Sequence, residues 1–253
     1  MEIRFDGERV LVTGAAGGIG AALAAGFAES GAAVVMVDRD AQRVAAAADA
    51  LRARTGRDVR AHALDIADRA ACRALAARIA GDGGGDIRHL INNAGVDGKA
   101  DVGSDEADEV WDRVIGVNVH GVYNVTRAFV DQVIRTRGTI LNVGSTMSFV
   151  GQPRMTAYTA SKAAIHNFTQ SLSIELAPHG VRVNMLAPGV METGLTAGLV
   201  ANPERLAPFL ARTCLGRTGK PGEMVGPALL ACSAHASYMT GATLRVDGGW
   251  LAR

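Results

Sequence analysis

Seven short runs rich in β-branched residues recur along the chain, each separated from the next by a longer, Ala-rich stretch. This alternation restricts the fold more than any other feature. The runs are Arg9–Thr13, Ala33–Asp38, Val59–Leu64, His89–Asn92, Thr139–Val143, Val181–Met185 and Thr243–Asp247. Helical candidates fill residues 18–30, 40–54, 68–80, 106–135, 156–177 and 222–234. Parallel strands can be joined only by crossovers, so strand–helix–strand repeats predict a parallel sheet covered by helices on both faces. The crossovers are expected to be right-handed, which winds the sheet in both directions from its middle. The predicted class is therefore α/β, a single-domain doubly wound parallel sheet of about seven strands over residues 1–253. No Pro- or Ser-rich linker interrupts the pattern, and the Gly81–Gly85 cluster reads as a permissive loop between a helix and a strand.

Bulk properties exclude several functions. Lys and Arg number 26 against 25 for Asp and Glu, so no excess charge is available to hold a nucleic acid. Cys72, Cys214 and Cys232 are far apart and form no CxxC pair, which argues against disulfides or a zinc site and fits a reducing compartment. The six histidines lack an HExxH spacing, so no metal site is expected. The amino terminus lacks the apolar core of a signal peptide, and no run of about 18 apolar residues could span a bilayer. The expected location is the cytoplasm, with no membrane partner.

Directly after the first strand comes Thr13-Gly14-Ala15-Ala16-Gly17-Gly18-Ile19-Gly20, running into a helix. Glycines there keep side chains out of the space between backbone amides and a pyrophosphate, and the helix amino terminus adds partial positive charge. The second strand ends at Asp38, 24 residues after Gly14, where a carboxylate can accept hydrogen bonds from an adenosine ribose. A 2′-phosphate would meet that carboxylate as a like charge, and Gly17 places no basic residue in the loop. NAD is therefore expected over NADP, although Arg39 follows directly and could pair with a phosphate. Asp65 and Ile66 after the third strand are candidates to flank the adenine. Asn92, Asn93, Ala94 and Gly95 make a polar turn at the carboxyl edge of the sheet, where ligands sit in such folds.

Tyr158 and Lys162 lie four apart in a helix-favouring stretch, which puts both on one face. A free tyrosine has a pKa of about 10, and a neighbouring ammonium is expected to lower it toward the working range of a general base. Ser145 stands at the end of the fifth strand and 13 residues before Tyr158. Its hydroxyl can donate to a substrate carbonyl oxygen while Tyr158 gives or takes the proton.

Taken together these segments resemble the short-chain dehydrogenase/reductase (SDR) family, from about Arg9 to Gly249. The TGxxxGIG loop, the Asn-Asn-Ala-Gly turn, the serine before YxxxK, and Asn184-Met-Leu-Ala-Pro188-Gly189 occur in the family's order. So do Leu215-Gly-Arg-Thr-Gly-Lys-Pro-Gly222 and Val246-Asp-Gly-Gly249. The resemblance implies a Rossmann-like fold and an oxidoreductase of secondary alcohols. It implies that Asn118 holds a water linking the lysine to solvent, that Lys162 binds the nicotinamide ribose, and that Pro188, Gly189, Val190 and Thr193 hold the carboxamide side. It also implies a homodimer or homotetramer built on two long helices. Ala160, Ala163, Ala164 and Ile174 support this by making the 156–177 helix small or apolar on more than one side. Gly144 departs from the family, many of whose members have serine there.

Substrate choice is assigned to the loops 96–104, 146–155 and 191–214, the last a lid around Thr193–Leu199 with Glu192 able to face the pocket. Met147, Phe149, Val150 and Pro153 form an apolar wall with Gln152 and Arg154 as polar contacts, a mixture that favours a polyol, sugar alcohol or small cyclic or aliphatic alcohol over a highly charged acid. Two other readings are an NADPH-dependent 3-oxoacyl carrier-protein reductase and a non-catalytic NAD sensor. Asp38 opposes the first, and the intact Tyr158, Lys162, Ser145 and Asn118 oppose the second.

Overall fold

The computed structural model describes residues 2–253. All seven expected strands form, as β1 (Arg9–Thr13), β2 (Ala33–Asp38), β3 (Val59–Ala63), β4 (His89–Asn92), β5 (Thr139–Val143), β6 (Arg182–Pro188) and β7 (Thr243–Val246). They make one sheet in the order β3-β2-β1-β4-β5-β6-β7, parallel at every pairing. The strand order reverses between β1 and β4, which opens a crevice at their carboxyl ends.

Side chains alternate across the sheet as the pleat requires. Val10, Val12, Val34 and Met36 enter one core with Leu23, Phe27 and Ala228; Leu11, Val35 and Val37 enter the other with Leu75, Phe129 and Leu172. The first core is covered by α1 (Gly18–Glu29), α2 (Ala41–Thr55) and α9 (Val225–Cys232), the second by α3 (Arg69–Ala80), α5 (Val122–Arg135) and α6 (Thr156–Leu176). Local signals set the helix ends. The Asp40 and Asp68 side chains accept from the N–H groups of Arg43 and Ala71, at 3.0 and 2.9 Å, and α2 stops at Gly56 in the left-handed region.

The structure departs from expectation in three places. The predicted 106–135 helix is broken into α4 (Ala107–Ile115), a π-helical turn over Gly116–Gly121, and α5. The lid contains helices α7 (Ala197–Val200) and α8 (Pro203–Arg212), the second started by Asn202, whose side chain accepts from Arg205 N–H at 3.0 Å. The Gly81–Gly85 loop is more than permissive. Its Asp82 binds the buried Arg9 through both oxygens, at 2.9 and 2.6 Å, and Arg60 at 2.8 Å. A Cβ on Gly84 would stand 2.7 Å from the Arg9 guanidinium carbon, so only glycine lets the loop close over that pair.

Candidate active site

A cleft of about 490 Å³ opens at the carboxyl ends of the strands. Of the residues expected to act, Gly14, Gly17, Gly18, Ile19, Asp38, Ala94, Gly95, Ser145, Tyr158, Lys162, Pro188, Gly189 and Thr193 all line it. Residues separated by up to 179 positions in sequence are thus brought to one crevice by the sheet order. Gly14 sits at φ +66°, and a Cβ there would stand 2.8 Å from Ala94 Cα, so the first loop and the Asn-Asn-Ala-Gly turn can approach only through glycine. Thr13 Oγ1 accepts from Asn93 and Ala94 N–H at 3.0 and 3.1 Å, and Asn93 Nδ2 donates to Thr13 O at 2.9 Å. Thr13 and Asn93 thus lock the two turns together, a contact that their places in the two motifs do not reveal.

Tyr158 and Lys162 lie one turn apart on α6, the Lys162 Nζ 5.7 Å from the Tyr158 ring centroid. Lys162 is buried, which pushes its pKa down to about 8, and its Nζ donates to Val143 O at 2.9 Å. An ammonium has three donors, so two remain for a ligand in the cleft. Ser145 Oγ accepts from Met147 N–H at 3.1 Å, which leaves its own proton free to donate. Ser148 completes this turn: its hydroxyl donates to Lys162 O at 2.8 Å, tying the serine turn to α6. The Ser-x-x-Ser spacing was the available sign of it.

The expected lowering of the Tyr158 pKa does not hold in this structure. Burial pushes it up, and the nearby Asp97 carboxylate adds to the rise, while the Ser145 hydroxyl pulls it down. Desolvation of the phenolate is the largest of these effects and sets the direction.

Five expected residues stand outside the cleft lining. Asn92 is buried and donates from Nδ2 to Thr126 Oγ1 and Asn142 Oδ1, at 3.0 and 2.9 Å. Asn118 accepts from Val96 N–H at 2.8 Å and donates to Val96 O and Ser161 Oγ, at 2.9 and 3.0 Å. Its side chain makes three of the four hydrogen bonds open to an amide and holds Val96 against the site. Ile66 is a core residue that abuts Gly121, where a Cβ would stand 2.6 Å from its Cγ1. Asp65 is exposed and accepts from Ala67 N–H, and Val190 O accepts from Gly219 N–H, both at 2.9 Å. Glu192 is also turned outward, accepting from the Thr218 hydroxyl at 2.6 Å. At Gly144 the space a side chain would take is filled by Met185, whose Sδ lies 2.5 Å from where a Cβ would be.

The family model for the short chain dehydrogenase matches residues 8–204. The chain belongs to this family. It is therefore an oxidoreductase acting on CH–OH groups, and it needs a nicotinamide cofactor. Among related SDR proteins, the chain is 42% identical to galactitol 2-dehydrogenase of Rhizobium johnstonii, over 98% of its own length and 97% of that protein's. It is 37% identical to the 3-oxoacyl-[acyl-carrier-protein] reductase of Thermotoga maritima, over 98% and 99%. The gluconate 5-dehydrogenase of Burkholderia cenocepacia, solved in complex with NADP and tartrate, superposes with a TM-score of 0.94 at 35% identity, covering 100% of this chain and 98% of that one.

The SDR cleft fits a dinucleotide. No side chain caps the start of α1 and no acidic residue lies in its first turn, so its positive end faces the cleft unopposed. Near Gly17 the structure adds a residue that sequence reasoning missed. The Arg43 guanidinium, from α2, comes within 3.1 Å of where a Gly17 Cβ would be, so the glycine gap is filled by a distant cation. No helix among the described residues is long and apolar enough to cross a membrane.

Proposed function

We propose that the protein interconverts neutral polyols and their ketoses with NAD(H), using Tyr158 as proton donor and acceptor. Ser145 donates its free proton to the substrate oxygen, and Tyr158 takes the hydroxyl proton during oxidation or returns it during reduction. Lys162 offers its two spare donors to the nicotinamide ribose, and Asn118 positions the adjacent 95–97 segment. Bound nicotinamide supplies the hydride acceptor or donor. The chain acts as one catalytic unit, with 191–214 as its lid; Thr193 Cγ2 already reaches to 3.3 Å from where a Gly18 Cβ would be. The free thiols of Cys72, Cys214 and Cys232 support a cytoplasmic location. Trp111, Tyr123 and Ile174, which leave 43%, 48% and 76% of their surface exposed on α4, α5 and α6, support a homodimer or homotetramer through those helices.

The observation that carries the substrate class is Asp97. Its carboxylate follows directly on Val96, which Asn118 holds by both backbone groups, and it acts on the Tyr158 phenol. Asp97 stands just beyond the cleft lining, next to Val96; beside Tyr158 the charged side chain that lines the cleft is the buried Lys162, and Arg154 is paired with Asp101 at 3.2 Å. A hydroxyl-bearing substrate can donate to Asp97, whereas a sugar acid meets it as a like charge. Asp97→Asn is expected to improve kcat/KM for gluconate relative to galactitol about fivefold, for roughly 1 kcal/mol of screened repulsion. Removing the charge also lowers the Tyr158 pKa, so the pH dependence of oxidation should move to lower pH. Steady-state rates with both substrates check this; an unchanged ratio would remove Asp97 from substrate selection.

For the cofactor, Asp38 supports NAD. Its Oδ2 accepts from Ala16 N–H and its Oδ1 from Asp40 N–H, both at 3.1 Å, which holds the carboxylate at the cleft. Arg39 and Arg43 line the same region and temper the preference. Asp38→Ala should raise the NADP to NAD ratio of kcat/KM by about tenfold or more, and Arg43→Gln should lower it. Equal ratios in wild type and both variants would discard this assignment.

A further inference from the structure

We infer that a second site, for a small multivalent oxyanion, lies at the amino ends of the strands, across the sheet from the catalytic cleft. A cavity of about 650 Å³ opens there, floored by His89 and Thr139 at the first residues of β4 and β5 and rimmed by Arg4, Arg88, Arg137 and Arg182. Four arginines thus line the cavity with one carboxylate residue, Glu8.

Glu8 is already committed. Its Oε2 lies 2.7 Å from His89 Nε2 and its Oε1 3.1 Å from Arg88 Nε. The Arg88 contact is off the line a hydrogen bond needs, so that buried Nε–H is left without an acceptor. Arg4 is neutralised outside the cavity by Asp6 at 2.9 Å. Arg182 donates only to carbonyls, those of Ala231, Met239 and Ser233 at 2.7, 3.1 and 2.9 Å. Among the described residues, neither Arg137 nor Arg182 has a carboxylate within ion-pair distance. Carbonyls at the end of α9 offset the Arg182 charge only in part, and burial pushes its pKa down. Arg137 is held at the rim by a left-handed backbone, φ 49°, with its stem beside Gly180.

Two arginines without counter-ions line one cavity with an unmet Nε–H, an arrangement that calls for paired carboxylate or phosphate oxygens. Such groups accept from guanidinium in parallel and bring the missing charge. The site is independent of the catalytic reading above. Its floor residues lie at the opposite ends of the strands that lead to Asn93 and Val143 in the catalytic cleft.

The test is calorimetric titration of the whole protein with citrate and, separately, inorganic phosphate, at matched ionic strength. Saturating NADH keeps both anions out of the glycine loop. Saturable binding of either anion is expected, weakened about tenfold in Arg137→Gln, the fold-change for one charge-assisted contact. Arg137 makes no polar contact that folding needs, so this variant should keep its turnover, and Arg43→Gln at the dinucleotide cleft should bind as wild type does. Tighter citrate would assign the site to polycarboxylates, tighter phosphate to phosphorylated ligands. No saturable binding with the cleft filled, an affinity indifferent to Arg137→Gln, or a loss in Arg43→Gln would overturn the inference.

Discussion

Tyr158→Phe is expected to bind NADH with nearly the affinity of the wild type while its turnover falls 10²-fold or more, the range for losing a positioned acid/base. The substitution removes one oxygen and leaves the ring packed on α6, so the cleft keeps its shape. The Lys162 Nζ bond to Val143 O and the Ser145 bond to Met147 N–H do not involve the phenol and should persist. Dinucleotide fluorescence titration and steady-state oxidation of galactitol separate the two effects. Full activity in this variant would take Tyr158 out of the chemistry, and a parallel loss of NADH binding would assign it a structural part instead. The direction of the pKa shift sharpens the expectation. With burial and Asp97 holding the phenol protonated, oxidation should quicken as pH rises toward the tyrosine pKa, and reduction should hold up at lower pH, where the proton is available.

The second large effect is on stability. Asp82→Ala leaves the Arg9 guanidinium, 3% exposed, without its two-oxygen partner. Breaking a buried pair from one side costs about 3–5 kcal/mol. For a chain of this size that corresponds to a fall in Tm of roughly 6–20 °C. Denaturant melts of the two proteins check this, and a difference below about 1 kcal/mol would show that water replaces the carboxylate. The Arg9 guanidinium, chiefly by hydrogen bonding, holds the Asp82 carboxyl well below the usual range. Its contribution is therefore complete above the ordinary carboxylate pKa and is lost as pH falls through the depressed one. The gap between wild type and Asp82→Ala should close in strong acid and be widest near neutrality.

Much of this is legible in the amino-acid sequence. The strands can be found there because short β-branched runs bounded by helical stretches leave few other options. Tyr158, Lys162 and Ser145 are brought together by spacing and by the rule that parallel sheets gather ligands at one edge. The features that stay hidden depend on contacts between distant residues. Arg43 reaches Gly17 from another helix, Met185 fills the space at Gly144 from another strand, and Asp97 matters because Asn118 pins the residue before it. Asn92 and Ile66 stand beside the right loops but are buried, Asn92 by one residue of strand phase and Ile66 in the turn after β3. Charge logic alone is also incomplete: the lysine four residues on leads one to expect an acidified tyrosine, whereas burial, which spacing does not report, pushes the Tyr158 pKa up. The lid helix α8 has a readable start in Asn202-Pro203, a cap followed by proline at the first helical position.

The π-helical turn at Gly116–Gly121 has a further effect on how the two flanking helices are used. Each residue advances an α-helix by about 100°, and a wider turn offsets the downstream helix relative to the upstream one. That offset lets α4 lie against α6 while α5 turns Val125, Phe129 and Val133 toward α3 and the sheet. Deleting one residue from this turn would splice both helices into a single screw. Either Asn118 would swing off Val96, or Phe129 would rotate out of its core. The wide turn is thus a gear between a helix that serves the catalytic segment and one that serves the interior, and its length is as constrained as any side chain in the site.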